Sequence, residues 1–407
     1  MSNRGKIIND PVYGFIRFPE EELLNIINHP WFQRLRNIKQ MGMAQLVYPG
    51  AVHTRFHHSL GACHLMGKAL DELSGKGFEI TKEERLAARM AILLHDIGHA
   101  PFSHALEHSL IAGISHEAIS QLVMEQLNKE TNGALTLAIQ IFNGSYHKQY
   151  LHQLVSSQLD VDRMDYLNRD SFYTGVSEGV IGYDRILQML TVKDDVLMVE
   201  EKGVHSVEKF IVARRLMYWQ VYLHKTVLSS EILLINILKR AKEIAKASDT
   251  LFTTPALNFF LYNSHSAVDF KTDSNLLDMY CQLDDNDITT SIKVWQNHPD
   301  FTLSTLCKML INRNLYKVIL SSSSLESEYQ EKLKQYKAKN GDNNFIGYYV
   351  STGSTSNDTY NINDERIQIA MKNGMVLDIS AIDNPVVNQA LAKPVNKNYL
   401  CFTESFA

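Results

Sequence analysis

Nine of the sixteen histidines of this 407-residue chain, His53, His57, His58, His64, His95, His99, His104, His108 and His116, fall within one stretch of 64 residues. Neutral imidazole ligates metals and titrates near neutral pH, so the concentration points to metal or acid–base chemistry. Such chemistry needs a scaffold that folds distant segments onto one point. The scaffold offered is helical. Between about Phe18 and Ser248 apolar residues recur at spacings of three and four, and β-branched alternation is scarce. Thr81-Lys-Glu-Glu84 is a capping-box pattern, and Leu86, Met90, Leu93 and Leu94 form a stripe behind it. That helix leads into His95-Asp96, and Gly98 and Pro101 end it, which places His99 and His104 on a turn. A second helix is expected over Leu154 to Asp170. A third, over Val207 to Lys246, carries Arg214, Tyr218 and Tyr222 on one face.

After about residue 250 the pattern changes. Ser321 to Ser324 reads as a break, Glu326 to Lys339 as a charged helix or tether, and Gly341 to Asn361 as a polar Gly/Ser/Asn-rich stretch. Arg366–Met371 and Met375–Ile379 flank Lys372-Asn373-Gly374, a hairpin signal in which Asn-Gly would adopt a type I′ turn. The fold class expected is mainly α: an all-helical body over 1–248, a helical extension over 249–320 and a small α+β C-terminal lobe over 321–407.

A net charge of −5, from 40 basic and 45 acidic residues, excludes a protein that coats nucleic acid through a global positive field. An anionic substrate must therefore meet a local basic cluster. The four cysteines, Cys63, Cys281, Cys307 and Cys401, form no CxxC pair, which implies a reducing, cytoplasmic setting. The N-terminal residues show no signal-peptide stretch, and runs such as Ile232–Leu238 fall far short of the roughly 20 apolar residues of a membrane span.

The adjacent pair His95-Asp96 gains meaning from its company: His58 on the preceding helix, and the acidic segment with Asp160, Asp162 and Asp165 on a later one. Imidazoles and carboxylates from three helices make a mixed nitrogen–oxygen site with open positions, suited to catalysis by Mn, Fe, Co, Zn or Mg rather than to a closed structural zinc.

The run Phe32–Gly42, Tyr48-Pro-Gly50, His53–Gly61, His95-Asp-Ile-Gly-His-Ala-Pro-Phe-Ser-His104, His116-Glu117 and Asp160–Tyr166 closely resembles the HD-domain dNTP triphosphohydrolases, over about residues 5–245 and in one order. The resemblance extends to the bacterial dGTPase-like members and to the catalytic core of the vertebrate sterile-alpha-motif and HD-domain-containing enzyme. It implies one divalent transition metal (Mn, Fe, Co, Ni or Zn) held by His58, His95, Asp96 and Asp162, with Mg a further candidate beside the substrate phosphates. It assigns acid–base work to His104, Glu107 and His116, with His99 near. It assigns the triphosphate to Arg55, Arg163, Arg214 and Lys225, and the nucleoside to Gln40, Met41, Tyr166, Asp170 and Tyr222. Glu107 stands where the family has aspartate, and Arg163 where it has lysine. The implied reaction converts a deoxynucleoside triphosphate to deoxynucleoside and inorganic triphosphate. A phosphatase or phosphodiesterase acting on nucleotide mono- or cyclic phosphates is the alternative, and a nucleotide-sensing or nucleic-acid-binding module that keeps its metal for structure is a third reading.

The resemblance also implies a homo-oligomer, a dimer or tetramer, with a nucleotide activator between subunits. Lys6, Ile7, Asn9, Arg34 and Arg36 stand in the activator places. Asn28 replaces the aspartate that reads guanine there and has one acceptor where a carboxylate has two. Arg185 matches a neighbouring family arginine, whereas Glu200 reverses the charge of another.

Overall fold

The computed structural model describes residues 5–103, 113–247, 250–342, 344–357, 366–382 and 395–404. The capping box forms as expected. Thr81 Oγ1 accepts from the Glu84 N–H at 3.1 Å, and Glu84 Oε2 accepts from the Thr81 N–H at 2.8 Å. The helix Lys82–Leu94 starts there, buries Met90 and Ala91 to Leu94, and packs between the helices Arg55–Gly75 and Thr136–Phe142. Helix Val161–Thr174 packs on the other side of Arg55–Gly75, so these three form the centre of the body.

Two expected helices are divided. Leu154 to Asp170 is split between Gln149–Val155 and Val161–Thr174, because Asp160 is an N-cap: its carboxylate accepts from the N–H groups of Ser157 at 2.8 Å and Arg163 at 2.7 Å. The stretch Val207 to Lys246 is split into Val204–Met217, a π-helical turn Tyr218–Tyr222, and Lys225–Lys246. His224 caps the last of these through the Thr226 N–H, and the two halves bend by 59°.

The helical body also contains strands that the scarcity of β-branched alternation did not lead one to expect. Strands β1 (Lys6–Asp10) and β2 (Gly14–Phe18) form one hairpin, and β3 (Leu190–Lys193) and β4 (Val196–Glu200) another. Asp194 and Asp195, with φ of 53° and 59°, supply the two-residue turn between β3 and β4. The C-terminal part adds β5 (Lys317–Ser321), β6 (Val350–Asn357), β7 (Gln368–Ala370), β8 (Val376–Asp378) and β9 (Val395–Phe402), in sheets ordered β5-β9-β6 and β3-β4-β7-β8. The hairpin β7–β8 is present, but its turn differs from type I′. Only Gly374 has positive φ, at 84°, because the Asn373 side chain accepts from the Met375 N–H instead of adopting the left-handed conformation. One continuous apolar core runs from Ile16 to Phe402, with Trp295 and Phe210 among its fully buried members. The four cysteines are free and buried. No single described helix is long and apolar enough to cross a membrane.

Candidate active site

Helix geometry delivers four side chains to one point. His58 lies in the first turn of Arg55–Gly75, His95 and Asp96 follow the last turn of Lys82–Leu94, and Asp162 lies in the first turn of Val161–Thr174. His58 Nε2 is 3.0 Å from Asp162 Oδ1 and 3.6 Å from Asp96 Oδ2. His95 Nε2 is 3.4 Å from the same Asp162 oxygen and 3.3 Å from Asp96 Oδ1.

Each imidazole gives its other nitrogen to the protein. His58 Nδ1–H donates to Asp165 Oδ2 at 2.7 Å, and His95 Nδ1–H donates to the Ile92 carbonyl at 2.6 Å. These bonds turn both Nε2 lone pairs inward. Among the described residues neither Nε2 has a hydrogen-bond partner, and the distances above put each lone pair against carboxylate oxygens. Only a cation or a proton between them removes the repulsion. His58 shows how strong that demand is: burial opposes its charge, yet Asp162 and Asp165 push its pKa up to about 10. Nitrogen and carboxylate donors in this arrangement fit a divalent metal, and His58, His95 and Asp162 are able to hold one. Asp96 stands between this trio and a second one, which it forms with His99 and His116.

The braces behind these ligands explain much of the local sequence. Arg169 grips Asp165 through Nε and Nη2, both at 2.9 Å, and reaches Asp10 at 2.8 Å. Gly61 makes this possible, since a Cβ there would lie 2.1 Å from both Asp165 Oδ1 and Arg169 Nη2. Gly98 plays the same part for His116: a Cβ would lie 2.3 Å from the His116 carbonyl and 2.4 Å from the Ser120 N. Ser120 Oγ accepts from the Gly98 N–H and donates to the His95 carbonyl, which ties the helix His116–Glu130 to the ligand turn. His116 then stacks on His99 with ring centroids 3.8 Å apart.

His99 Nε2 lies 3.1 Å from Asp96 Oδ1. Burial, reinforced by the Arg55 charge, holds its pKa well below the usual histidine value, so the ring is neutral at pH 7. Arg55 bonds Asp96 Oδ2 and Ser103 Oγ. His104 and Glu107 lie outside the described residues. The loop leading to them holds Phe102 and Ser103 at φ of 53°, strained for residues with a side chain, and is fastened by Asp285. That carboxylate accepts from the Phe102 N–H at 2.6 Å and the Lys39 N–H at 3.0 Å, and burial pushes its pKa up to about 6.

The ligand cluster opens onto a cavity of about 600 Å³. Gln40, Met41, Arg55, Arg163, Tyr166, Asp170, Arg214 and Tyr222 line it, as do His99 and His116. Lys225 does not: it is exposed at the first residue of its helix. Arg163 donates to the Ser157 carbonyl at 2.7 Å; burial works against its charge, and the neighbouring Asp160 carboxylate outweighs burial. Arg214 has no hydrogen bond or ion pair among the described residues, and burial lowers its pKa. A guanidinium left unpaired among the described residues in a cavity wall is suited to an anion. Asp170 is fixed by His53 Nε2–H and by the Tyr222 hydroxyl, each at 2.7 Å.

The sequence reading did not single out Phe102, Glu231 or Thr355, which also line the cavity, and it gave His53 no role. Glu231 carried a usable signal: it falls on the stripe with Val227, Leu234 and Leu238, where an apolar residue is expected. Arg34 needs a correction. It is buried and donates to the carbonyls of Leu283 at 2.7 Å, Ile97 at 3.2 Å and His99 at 2.9 Å, so its guanidinium serves the fold of the ligand turn rather than an interface nucleotide. Lys6, Ile7, Asn9 and Arg36 are exposed, and Glu200 pairs with Lys76 at 2.5 Å.

A model of the HD domain matches residues 55–170, and one of the HD associated region matches residues 181–253. The crystal structure of a phosphohydrolase from Bacteroides thetaiotaomicron is 51% identical, with a TM-score of 0.93 over 98% of this chain and 100% of that one. An uncharacterized protein of Bacillus subtilis, YwfO, is 33% identical over 92% of this chain and 87% of its own length. The deoxynucleoside triphosphate triphosphohydrolase SAMHD1 homolog of Dictyostelium discoideum is 32% identical over 60% of this chain, which spans about half (51%) of that protein. With the braced histidine–aspartate cluster falling inside the matched domain, the chain belongs to the HD superfamily of phosphohydrolases.

Proposed function

We propose that this phosphohydrolase converts deoxynucleoside triphosphates to deoxynucleosides and inorganic triphosphate. The observation that carries the proposal is Arg214, a guanidinium unpaired among the described residues, in the wall of the same cavity as the ligand cluster, with Arg163 lining that cavity too. A monophosphate leaves such a cation without a partner, whereas a triphosphate has distal oxygens for it. The similarity to the Dictyostelium triphosphohydrolase supports the same substrate class.

The metal ligands in this reading are His58, His95, Asp96 and Asp162, and the candidates are Mn, Fe, Co, Ni or Zn, with Mg accompanying the phosphates. Such a metal, when bound, acidifies water and polarises a phosphoryl oxygen. The chain's own residues do the rest. Arg55, through its bond to Asp96, keeps that carboxylate ionised; burial opposes this, and the Arg55 charge prevails. His116 takes or returns a proton beside the α-phosphate together with His104 and Glu107, while the neutral ring of His99 supports His116 by stacking. Tyr166 packs on the deoxyribose, where a 2′-hydroxyl would collide with it. Asp170, held rigid by His53 and Tyr222, accepts from the 3′-hydroxyl, and Gln40 and Met41 close that side. The protein acts in the cytoplasm as a homo-oligomer, a reading supported by the free cysteines and by the exposed Ile7 and Phe15 on the β1–β2 hairpin. With Arg34 committed to carbonyls, a nucleotide activator would have to rely on Lys6, Asn9 and Arg36.

The test is steady-state hydrolysis of dNTPs, NTPs and nucleotide monophosphates by the wild type and by Arg214→Ala. The expected result is at least a tenfold loss in kcat/KM for dNTPs in the variant. Monophosphate hydrolysis that exceeds dNTP hydrolysis, with no effect of Arg214→Ala, would establish the phosphatase reading instead.

A further inference from the structure

Met41, Gly42, Leu223, Val227 and Leu228 are apolar residues of the cavity lining, and Glu231, on the same helix as Val227 and Leu228, adds a carboxylate to it. Glu231 projects from the second turn of Lys225–Lys246. A Cβ built on Gly42 would lie 3.7 Å from its Oε1, which places the acid against the Gln40–Gly42 turn. Among the described residues no hydrogen bond or ion pair reaches it. Burial alone pushes its pKa up to about 7, so no charged group of the ligand cluster stands close enough to perturb it. It belongs to neither of the two groups of side chains able to hold a metal. A partly buried carboxylate among apolar neighbours, reached by no donor among the described residues, is costly to keep, and a ligand that brings N–H groups to it lowers that cost.

We infer that Glu231 reads the substrate base and selects guanine, by accepting from N1–H and the 2-amino group together. The inference rests on the reading that the cavity takes a deoxynucleoside triphosphate. Of the common bases only guanine offers two adjacent N–H donors on its pairing edge, the pattern that matches two carboxylate oxygens. Adenine and cytosine set a ring-nitrogen lone pair beside the amino group, and thymine sets a carbonyl on each side of its one N–H, so each turns an acceptor towards the ionised acid. Met41 and Val227 supply apolar walls for a flat ring.

The test measures binding of dGMP, dIMP, dAMP, dCMP and dTMP to the full-length, metal-loaded protein at pH 8 by calorimetry, for the wild type and Glu231→Gln. Hydrolysis of the corresponding triphosphates is followed in parallel. On the wild type dGMP should bind tightest, with dIMP, which lacks the 2-amino group, about tenfold weaker. Glu231→Gln should weaken dGMP by about tenfold or more and change dAMP, dCMP and dTMP by less than about threefold. Equal affinity for dGMP and dIMP on the wild type would overturn the inference whether or not the variant folds. So would failure of every monophosphate to bind, or an equal loss for all bases in the variant. If triphosphate is released from all four dNTPs at one kcat/KM, the base reading fails and the hydrolytic reading stands. If dGMP binds with the expected ranking and no triphosphate is released, the reverse holds.

Discussion

Two parts of the cavity lining are built on opposite plans. At the ligand cluster the inner carboxylates and imidazoles are braced: His58 by Asp165, Asp165 by Arg169, Arg169 by Asp10, His95 by the Ile92 carbonyl, and Asp96 by Arg55. Elsewhere in the lining Glu231 has no brace among the described residues. The difference teaches where the fold fixes geometry and where it leaves an acceptor for substrate. Charges that must converge on one cation are held by a ladder of partners, whereas a charge meant for a ligand's N–H groups is left unpaired and becomes a proton-binding group near neutral pH.

Substitutions can break that contrast. The largest effect is expected for Asp162→Ala, which removes a charged ligand. Turnover should vanish, and metal content after purification, read by elemental analysis, should fall with it. Retention of full metal occupancy would remove Asp162 from the site. Next is Gly61→Ala, whose Cβ collides with the buried Asp165–Arg169 pair. Disrupting such a pair costs about 3–5 kcal/mol, which thermal unfolding should register as a large drop in Tm. Asp165→Asn keeps the shape of the brace but weakens its hold on His58, and should lower metal affinity by about 10- to 100-fold in a competitive chelation assay. Tyr222→Phe loosens Asp170 by one hydrogen bond, about 1 kcal/mol, and should raise KM for the deoxynucleotide severalfold with little change in kcat.

The smallest effect concerns pH and belongs to Glu231. Glu231 has a folded pKa of about 7 against an ordinary value of 4.5. Below the ordinary value the acid is protonated in both states and costs nothing. As pH rises towards 7 the unfolded chain ionises more readily than the folded one, so the folded state loses stability, and above 7 the loss is constant. Glu231→Gln lacks this loss. Its Tm should exceed that of the wild type by a few degrees at pH 8 and converge with it in acid, as differential scanning calorimetry can show.

Much of the ligand cluster was legible in the sequence because its chemistry is local. The capping box starts the helix that ends at His95-Asp96, and Gly98 admits the helix that carries His116. The Leu154–Asp170 expectation missed its break because a carboxylate that caps two N–H groups, Asp160, looks in sequence like any acid within a helical stripe. The β3–β4 hairpin escaped because its turn uses two aspartates where glycine or asparagine is the usual signal. Arg34 was misread because its three carbonyl partners come from residues 97, 99 and 283, and no spacing in one sequence reports contacts of that separation. Asp285 was invisible for the same reason, although it fastens both Lys39 and Phe102 beside the cavity. Glu231 was readable in principle, as a charge on an apolar stripe, but a stripe does not say whether a cavity lies beneath it.

The central claim is that the braced metal site cleaves the bond between the deoxyribose and an intact triphosphate. The most direct measurement is product identity: each dNTP incubated with metal-loaded protein, and the products resolved by ion exchange and ³¹P NMR. The account predicts deoxynucleoside and inorganic triphosphate in equal amounts. Release of pyrophosphate with deoxynucleoside monophosphate, or of orthophosphate with the diphosphate, would contradict it.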